Sequence, residues 1–243
     1  MTKKLSKSRI DQIKDFDYHD FETRINDLKN YCDIIEEQNT LNQILMKNQL
    51  IVTLYSTYEV KLKEFLSHLI DKYDLHARTI FPGNSIEIEL DVLDDFKSDN
   101  FTKGKFLVAN LHNVHPTTVS LMLNRITKLN YFKWYDIVLG DPEDSSLVHL
   151  DDLNKERNTI VHTLGNSNKS VHELRDLIDI SSTIYSYVLP STELILGILD
   201  NEWSNLKISK VLDSNFAEVD MSPVKIKKET LKLRKEYEEK YKK

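Results

Sequence analysis

This chain has little of what staples, turns or interrupts a polypeptide. Its 243 residues include one cysteine, five glycines and five prolines. A single cysteine cannot close an internal disulfide, so no disulfide framework carries the fold, and the count fits a reducing cytoplasm. Cys32 falls on an apolar helical stripe and reads as a small buried hydrophobe. The shortage of glycine and proline favours long uninterrupted helices. No run approaches the ~18 consecutive apolar residues of a membrane span, so no membrane partner is expected. The first fourteen residues carry Lys3, Lys4, Lys7, Arg9 and Lys14 and lack an apolar h-region, so they do not read as a secretory signal.

Several chemistries are also without support. There is no GxxxxGK[ST] or GxGxxG loop to cradle phosphates and no GxSxG nucleophile elbow. His112-Asn113-Val114-His115 brings two imidazoles into a loop, but no cysteine or carboxylate trio nearby completes a zinc set. No metal or cofactor is expected.

What the chain does have is a helical composition: 40% hydrophobic and 30% charged residues, enough for a substantial core. The net charge is −6, yet the ends are basic, with nine Lys/Arg against four Glu in the last twenty residues. Basic ends around an acidic body suit RNA contact, and they equally suit solvated termini.

Hydrophobic spacing supplies the elements. Phe21, Ile25, Leu28, Cys32 and Ile35 repeat at 4-3-4-3, a helical period. Ile44, Ile51, Tyr55, Tyr58, Leu62, Phe65 and Leu69 extend a second helix over about nine turns. Ile86, Ile88, Leu90 and Val92 alternate with acids, which predicts one short strand in an otherwise irregular insertion over 81–116. Helix resumes over 117–129. The cluster Tyr131-Phe132-Lys133-Trp134-Tyr135 reads as an aromatic plug between helices, with base stacking as its rival meaning. A helix over about 145–164 packs through Leu147, Leu150 and Leu153. The capping box Ser170-Val171-His172-Glu173 starts the next, which Pro190 ends or kinks before a further segment at 193–203. Residues 204–223 show no clear period, and Leu233, Tyr237 and Tyr241 mark an amphipathic tail helix. The organisation expected is a basic arm (1–15), a helical domain (16–203) with the insertion, and a linker with a basic C-terminal helix or tail (204–243).

The most informative stretch is Arg157-Asn158-Thr159-Ile160-Val161-His162, R-N-x-x-x-H within a helix. Asn158 and His162 are four apart and share a face, with Arg157 beside them. A titratable imidazole, a fixed cation and an amide in one patch suit a phosphodiester: proton shuttle, charge clamp and orienting hydrogen bond. With 7 Arg, 8 His and 18 Asn in the chain, the triplet arises by chance only about 0.02 times. Gly165-Asn166 reads as the helix stop, and a histidine in a last turn is also favoured by the helix dipole.

On these residues the chain resembles the HEPN superfamily, in the manner of its RiboL-PSP-HEPN/MAE-like branch. The string Leu153-Asn154-Lys155-Glu156-Arg157-Asn158-Thr159-Ile160-Val161-His162 looks like that family's motif helix, and Tyr55-Ser56-Thr57-Tyr58-Glu59 looks like its second helix. The likeness spans roughly 16–200. It implies an all-α, HEPN-like bundle of long antiparallel helices with a small irregular or β insertion near 81–116. It further implies a homodimer whose two motif helices line one cleft, and a metal-independent endoribonuclease acting as a toxin or anti-phage effector. Arg157 and His162 would then be the catalytic pair, Asn158 their orienting partner and Glu59 a fourth member. An antitoxin or defence-system protein is an expected partner beside the RNA substrate. In family toxins controlled by a nucleotidyltransferase antitoxin, a tyrosine stands two residues after the histidine; here it is Leu164. Two other readings stand beside this one: a non-catalytic HEPN-like module that binds a protein or RNA, and an unrelated helical scaffold in which the hexapeptide is a helix end.

Overall fold

The computed structural model describes residues 3–5, 10–15, 17–75, 86–88, 94, 97, 101–109, 111, 115–140, 146–163, 165–200, 203–215 and 221–241. Helices build it: α1 (Tyr18–Glu36), α2 (Thr40–Lys72), α3 (Lys103–Val108), α4 (Pro116–Thr127), α5 (Tyr131–Val138), α6 (Ser146–Thr163), α7 (Val171–Leu199), α8 (Asn205–Asn215) and α9 (Pro223–Tyr241). Two three-residue strands, β1 (Lys3–Leu5) and β2 (Ile86–Ile88), pair in parallel with Lys3 opposite Ile86. No described helix is long and apolar enough to cross a membrane. The chain divides into two compact units, residues 1–114 with 153–178, and residues 115–152 with 179–243.

In unit 1, α1 starts where the Asp17 carboxylate accepts from the His19 amide at 2.9 Å. The 4-3-4-3 stripe is its buried face: Phe21, Ile25, Leu28, Cys32 and Ile35 are all buried. Asn39 caps α2 by accepting from the Asn42 amide at 3.1 Å. This 33-residue helix is the spine of the unit, and Phe21 meets Tyr58 with ring centroids 6.0 Å apart. An ionic clasp joins α1 and α2, with Lys61 Nζ 2.7 Å from Asp20 and 2.8 Å from Glu64. Both Lys61 and Glu64 are buried.

Within the region read as an irregular insertion, Lys103–Val108 form α3. Thr102 caps α3 through the Lys105 amide at 3.2 Å, and Gly104 N–H donates to Asp71 at 2.7 Å. A Cβ on Gly104 would stand 2.2 Å from the Ser67 carbonyl oxygen, so only glycine lets α3 approach α2 this closely.

Unit 2 is organised around the aromatic cluster. Tyr131, Phe132, Trp134 and Tyr135 are buried, so the cluster is a plug and its faces are closed to bases. Trp134 Nε1 donates to Thr230 Oγ1 at 2.8 Å, tying α5 to α9. Tyr131 Oη meets Ser191 Oγ at 2.5 Å, and burial pushes its phenol above the ordinary range.

Two boundaries differ from the sequence reading. Pro190 neither ends nor interrupts α7, which runs on to Leu199. Ser191 Oγ and Thr192 Oγ1 both donate to the Val188 carbonyl, at 3.2 and 2.6 Å, the back-bonding that hydroxyls make inside a helix. Residues 205–215, read as having no period, form α8. Among its described side chains only Ile208 and Leu212 are buried, too few to register as a period.

Candidate functional site

Of the candidate site residues, Arg157, Asn158 and His162 lie on the part of α6 that belongs to unit 1, and Glu59 on α2. Leu150, Leu153 and Asn154 are buried along its packed side, whereas Lys155, Thr159, Val161, His162 and Thr163 are exposed. Arg157 and Asn158 fall on the border between the two. A side chain on that border can be held by the packed side and still reach solvent.

The end of α6 is fixed by its own backbone and by α2. Gly165 N–H donates to the Thr159 carbonyl at 3.1 Å, and a Cβ on Gly165 would stand 2.9 Å from Thr159 Cγ2. The loop that follows is clamped by the Asn48 amide, which donates to Asn166 at 2.9 Å and accepts from the Ser167 amide at 3.0 Å. Lys47 Nζ donates to the Lys169 carbonyl at 2.8 Å, and Ser167 Oγ donates to Glu156 at 2.9 Å. The next helix opens with the expected capping box: Glu173 N–H donates to Ser170 Oγ at 3.2 Å, and Ser170 N–H to Glu173 at 2.6 Å. Hydrogen bonds from the Ser170 hydroxyl and backbone hold the Glu173 carboxyl below its usual range.

The motif residues meet. Arg157 Nη1 donates to Asn158 Oδ1 at 2.9 Å and lies 3.0 Å from His162 Nε2. A guanidinium has no acceptor, so this contact is a hydrogen bond only in the tautomer whose Nε2 carries the lone pair. The Arg157 guanidinium also lies over the Tyr55 ring, 5.2 Å from its centroid. Tyr55 is buried on α2, and desolvation raises its phenol; Glu59 adds to the rise and Arg157 opposes it.

Glu59 stands one turn beyond Tyr55 on α2 and pairs with Lys63 at 2.8 Å. No hydrogen bond or ion pair joins it to Arg157, Asn158 or His162 among the described residues. The group that reaches the motif from α2 is therefore the Tyr55 ring. In the sequence Tyr55 stands out as part of the second helix's hydrophobic spacing and of the Tyr55–Glu59 string, and Asn48 by no motif. The usable signal was spacing: Asn48 and Tyr55 are seven apart, so one face of α2 carries both the loop clamp and the ring under Arg157.

Of the histidine pair singled out in the sequence, only His115 is among the described residues. His115 Nδ1 accepts from the Thr117 amide at 3.2 Å as the N-cap of α4, and its Nε2 is 3.8 Å from Asp151. His112, Asn113 and Leu164 lie outside the described residues. Among the described residues no three His, Cys, Asp or Glu side chains gather as a metal set. No protein-family model, curated protein or solved structure matches this chain.

Chemically, the patch offers a neutral imidazole nitrogen, a fixed cation with further N–H donors, and an amide beside it. An incoming phosphate oxygen is a stronger partner for Arg157 than the imidazole is, because both members of that pair are charged. Moving Arg157 onto phosphate would release Nε2 for proton transfer.

Proposed function

We propose that the chain is a metal-independent endoribonuclease of HEPN type, a toxin or anti-phage effector that cleaves RNA by transesterification. The observation that supports this most is the double contact of Arg157 Nη1, at 2.9 Å to Asn158 and 3.0 Å to His162, on the solvent side of α6. It places a cation and a proton-transfer group within one phosphate's width of each other.

In the proposed reaction His162 Nε2 takes the proton of a ribose 2′-hydroxyl. The 2′-oxygen attacks the adjacent phosphorus, and the bond to the 5′-oxygen breaks. A proton delivered to that oxygen leaves a 5′-hydroxyl and a 2′,3′-cyclic phosphate. Histidine suits both transfers because its ordinary pKa of about 6.5 is near working pH. Arg157 neutralises charge on the non-bridging oxygens with the planar fork phosphate favours. Two α6 helices facing each other in a homodimer would supply one His162 as base and the partner subunit's His162 as acid. A mixed dimer with one His162→Ala subunit should then lose most activity; full activity would remove the shared-site step.

A non-catalytic module is the second reading. It draws on the same contacts, since Arg157 already bridges Tyr55 and the end of α6. Expression in a bacterial host separates the two. The nuclease reading expects growth arrest that His162→Ala relieves, with intact protein levels. Equal growth with both proteins favours the module.

A further inference from the structure

We propose that α9 carries a docking surface for single-stranded RNA, a lysine stripe leading to a tyrosine-lined notch. The proposal rests on the reading of RNA as substrate, but it concerns residues of unit 2 outside the motif. Between residues 223 and 235 the helix has six cations and one carboxylate, in a chain whose net charge is −6. Ile226, Thr230 and Leu233 form its buried face. On the opposite side Lys225, Lys228, Lys232 and Lys235 are all exposed. Their spacing of three, four and three residues puts them in one row about 15 Å long.

A row of like charges at that spacing destabilises its own helix by a few tenths of a kcal/mol per pair. Among the described residues little offsets it. Lys232 lies 3.4 Å from Glu229 and Lys235 3.9 Å from Glu239, both exposed pairs of small value. Among the described residues no carboxylate pairs with Lys225 or Lys228. A phosphate backbone is the partner that such a row complements, with its regular negative charges and releasable counterions.

The far end of the helix favours a nucleic acid over an acidic peptide or a lipid surface. There a notch of about 150 Å³ is lined by Asn124, Asn130, Lys133, Tyr237, Lys240 and Tyr241. The Tyr237 and Tyr241 rings stand 4.5 Å apart at 41°, and Tyr241 is 59% exposed. Glu236, the one acid on its wall, is paired to Lys133 at 2.9 Å, and that hydrogen bond holds its carboxyl below the usual range. Asn124 and Asn130 already accept from the amides of Tyr131 and Lys133 through their side-chain oxygens. Their amino groups remain as donors toward a base edge. Cations tracking a backbone, then rings and amides at one end, is the pattern of sequence-tolerant single-strand binding.

The test uses the full chain carrying His162→Ala, so that binding is read without cleavage. Fluorescence anisotropy follows a labelled twelve-nucleotide single-stranded RNA across a salt series. Two further variants are built on that parent, Lys225→Gln/Lys228→Gln/Lys232→Gln/Lys235→Gln and separately Tyr241→Ala, with circular dichroism to confirm folding. The lysine variant should bind at least tenfold more weakly, with a salt slope smaller by about 0.7 for each phosphate no longer neutralised. Tyr241→Ala should weaken binding about tenfold with the slope unchanged. No RNA binding by the parent, or unchanged binding by the folded lysine variant, would overturn the proposal. Binding to phosphatidylserine vesicles with none to RNA would overturn it in favour of a membrane surface. Cleavage of the same RNA by the unsubstituted chain is scored separately, so a dead nuclease with an intact docking helix is distinguishable from the reverse.

Discussion

Lys61→Met is the sharpest test of how unit 1 is held together. Methionine keeps the length and apolar stem of lysine and removes only the ammonium. Glu64, 2% exposed, then loses a partner at 2.8 Å, and Asp20 loses one at 2.7 Å. Removing one member of a buried ion pair costs about 3–5 kcal/mol, because the other charge stays desolvated. The expected loss is therefore about 3–5 kcal/mol, or a melting temperature lower by roughly 10 °C for a chain of this size. Thermal unfolding followed by circular dichroism measures it. Tryptophan fluorescence assigns it, because Trp134 and Trp203 both belong to unit 2 and should report a smaller change. Adding Glu64→Leu should return all but about 1 kcal/mol, since an apolar pair of similar volume replaces the ionic one.

The pH dependence of the clasp has two signs. Hydrogen bonds from Lys61 first, then Arg24, lower the Asp20 carboxyl. Its stabilising part is thus present above the ordinary aspartate range and lost as pH falls through the lowered value. Burial alone would lower Lys61, but hydrogen bonds to Asp20 and Glu64 outweigh it and raise the group. That part is present below the ordinary lysine range and lost as pH rises through the raised value. In Lys61→Met the destabilisation should shrink on acidification, because the unsubstituted chain loses there the share that Lys61 gives Asp20. A loss under 1 kcal/mol at pH 7, or one that grows on acidification, would refute the reasoning.

Three further outcomes follow from particular contacts. Gly104→Ala forces a Cβ to within 2.2 Å of the Ser67 carbonyl oxygen, so it should lower stability by about 1–3 kcal/mol in thermal melts. Ser181 Oγ is buried and has no hydrogen-bond partner among the described residues, so Ser181→Ala should melt at the same temperature or higher; a loss above 1 kcal/mol would reveal a partner. At the site, Tyr55→Phe keeps the ring beneath Arg157 and should retain RNA cleavage. Tyr55→Leu should lower kcat about 5- to 30-fold, the worth of a desolvated cation–π contact of 1–2 kcal/mol.

What the sequence made legible was whatever a repeating hydrophobic face records. The stripe from Phe21 to Ile35 is buried residue for residue, and α2 runs uninterrupted as the absence of Gly and Pro implies. The capping box at Ser170 marks the start of α7 because its chemistry is local. Where an element rests on few contacts the sequence is silent: α3 is six residues long and α8 buries only Ile208 and Leu212 in its described part. Pro190 lies inside α7 and does not end it, so residues 193–199, read as a further segment, belong to the same helix. At the site, i and i+4 spacing within one helix brought Asn158 and His162 to one face, and the Arg157 contacts follow from it. The Tyr55 ring under Arg157 comes from packing between helices about 100 residues apart, which no local pattern encodes.

The central claim is tested most directly by incubating purified protein with total RNA and with tRNA in EDTA, beside His162→Ala. The account predicts cleavage by the unsubstituted chain only, leaving 2′,3′-cyclic phosphate and 5′-hydroxyl ends. Equal cleavage by both proteins, or none by either, would contradict it.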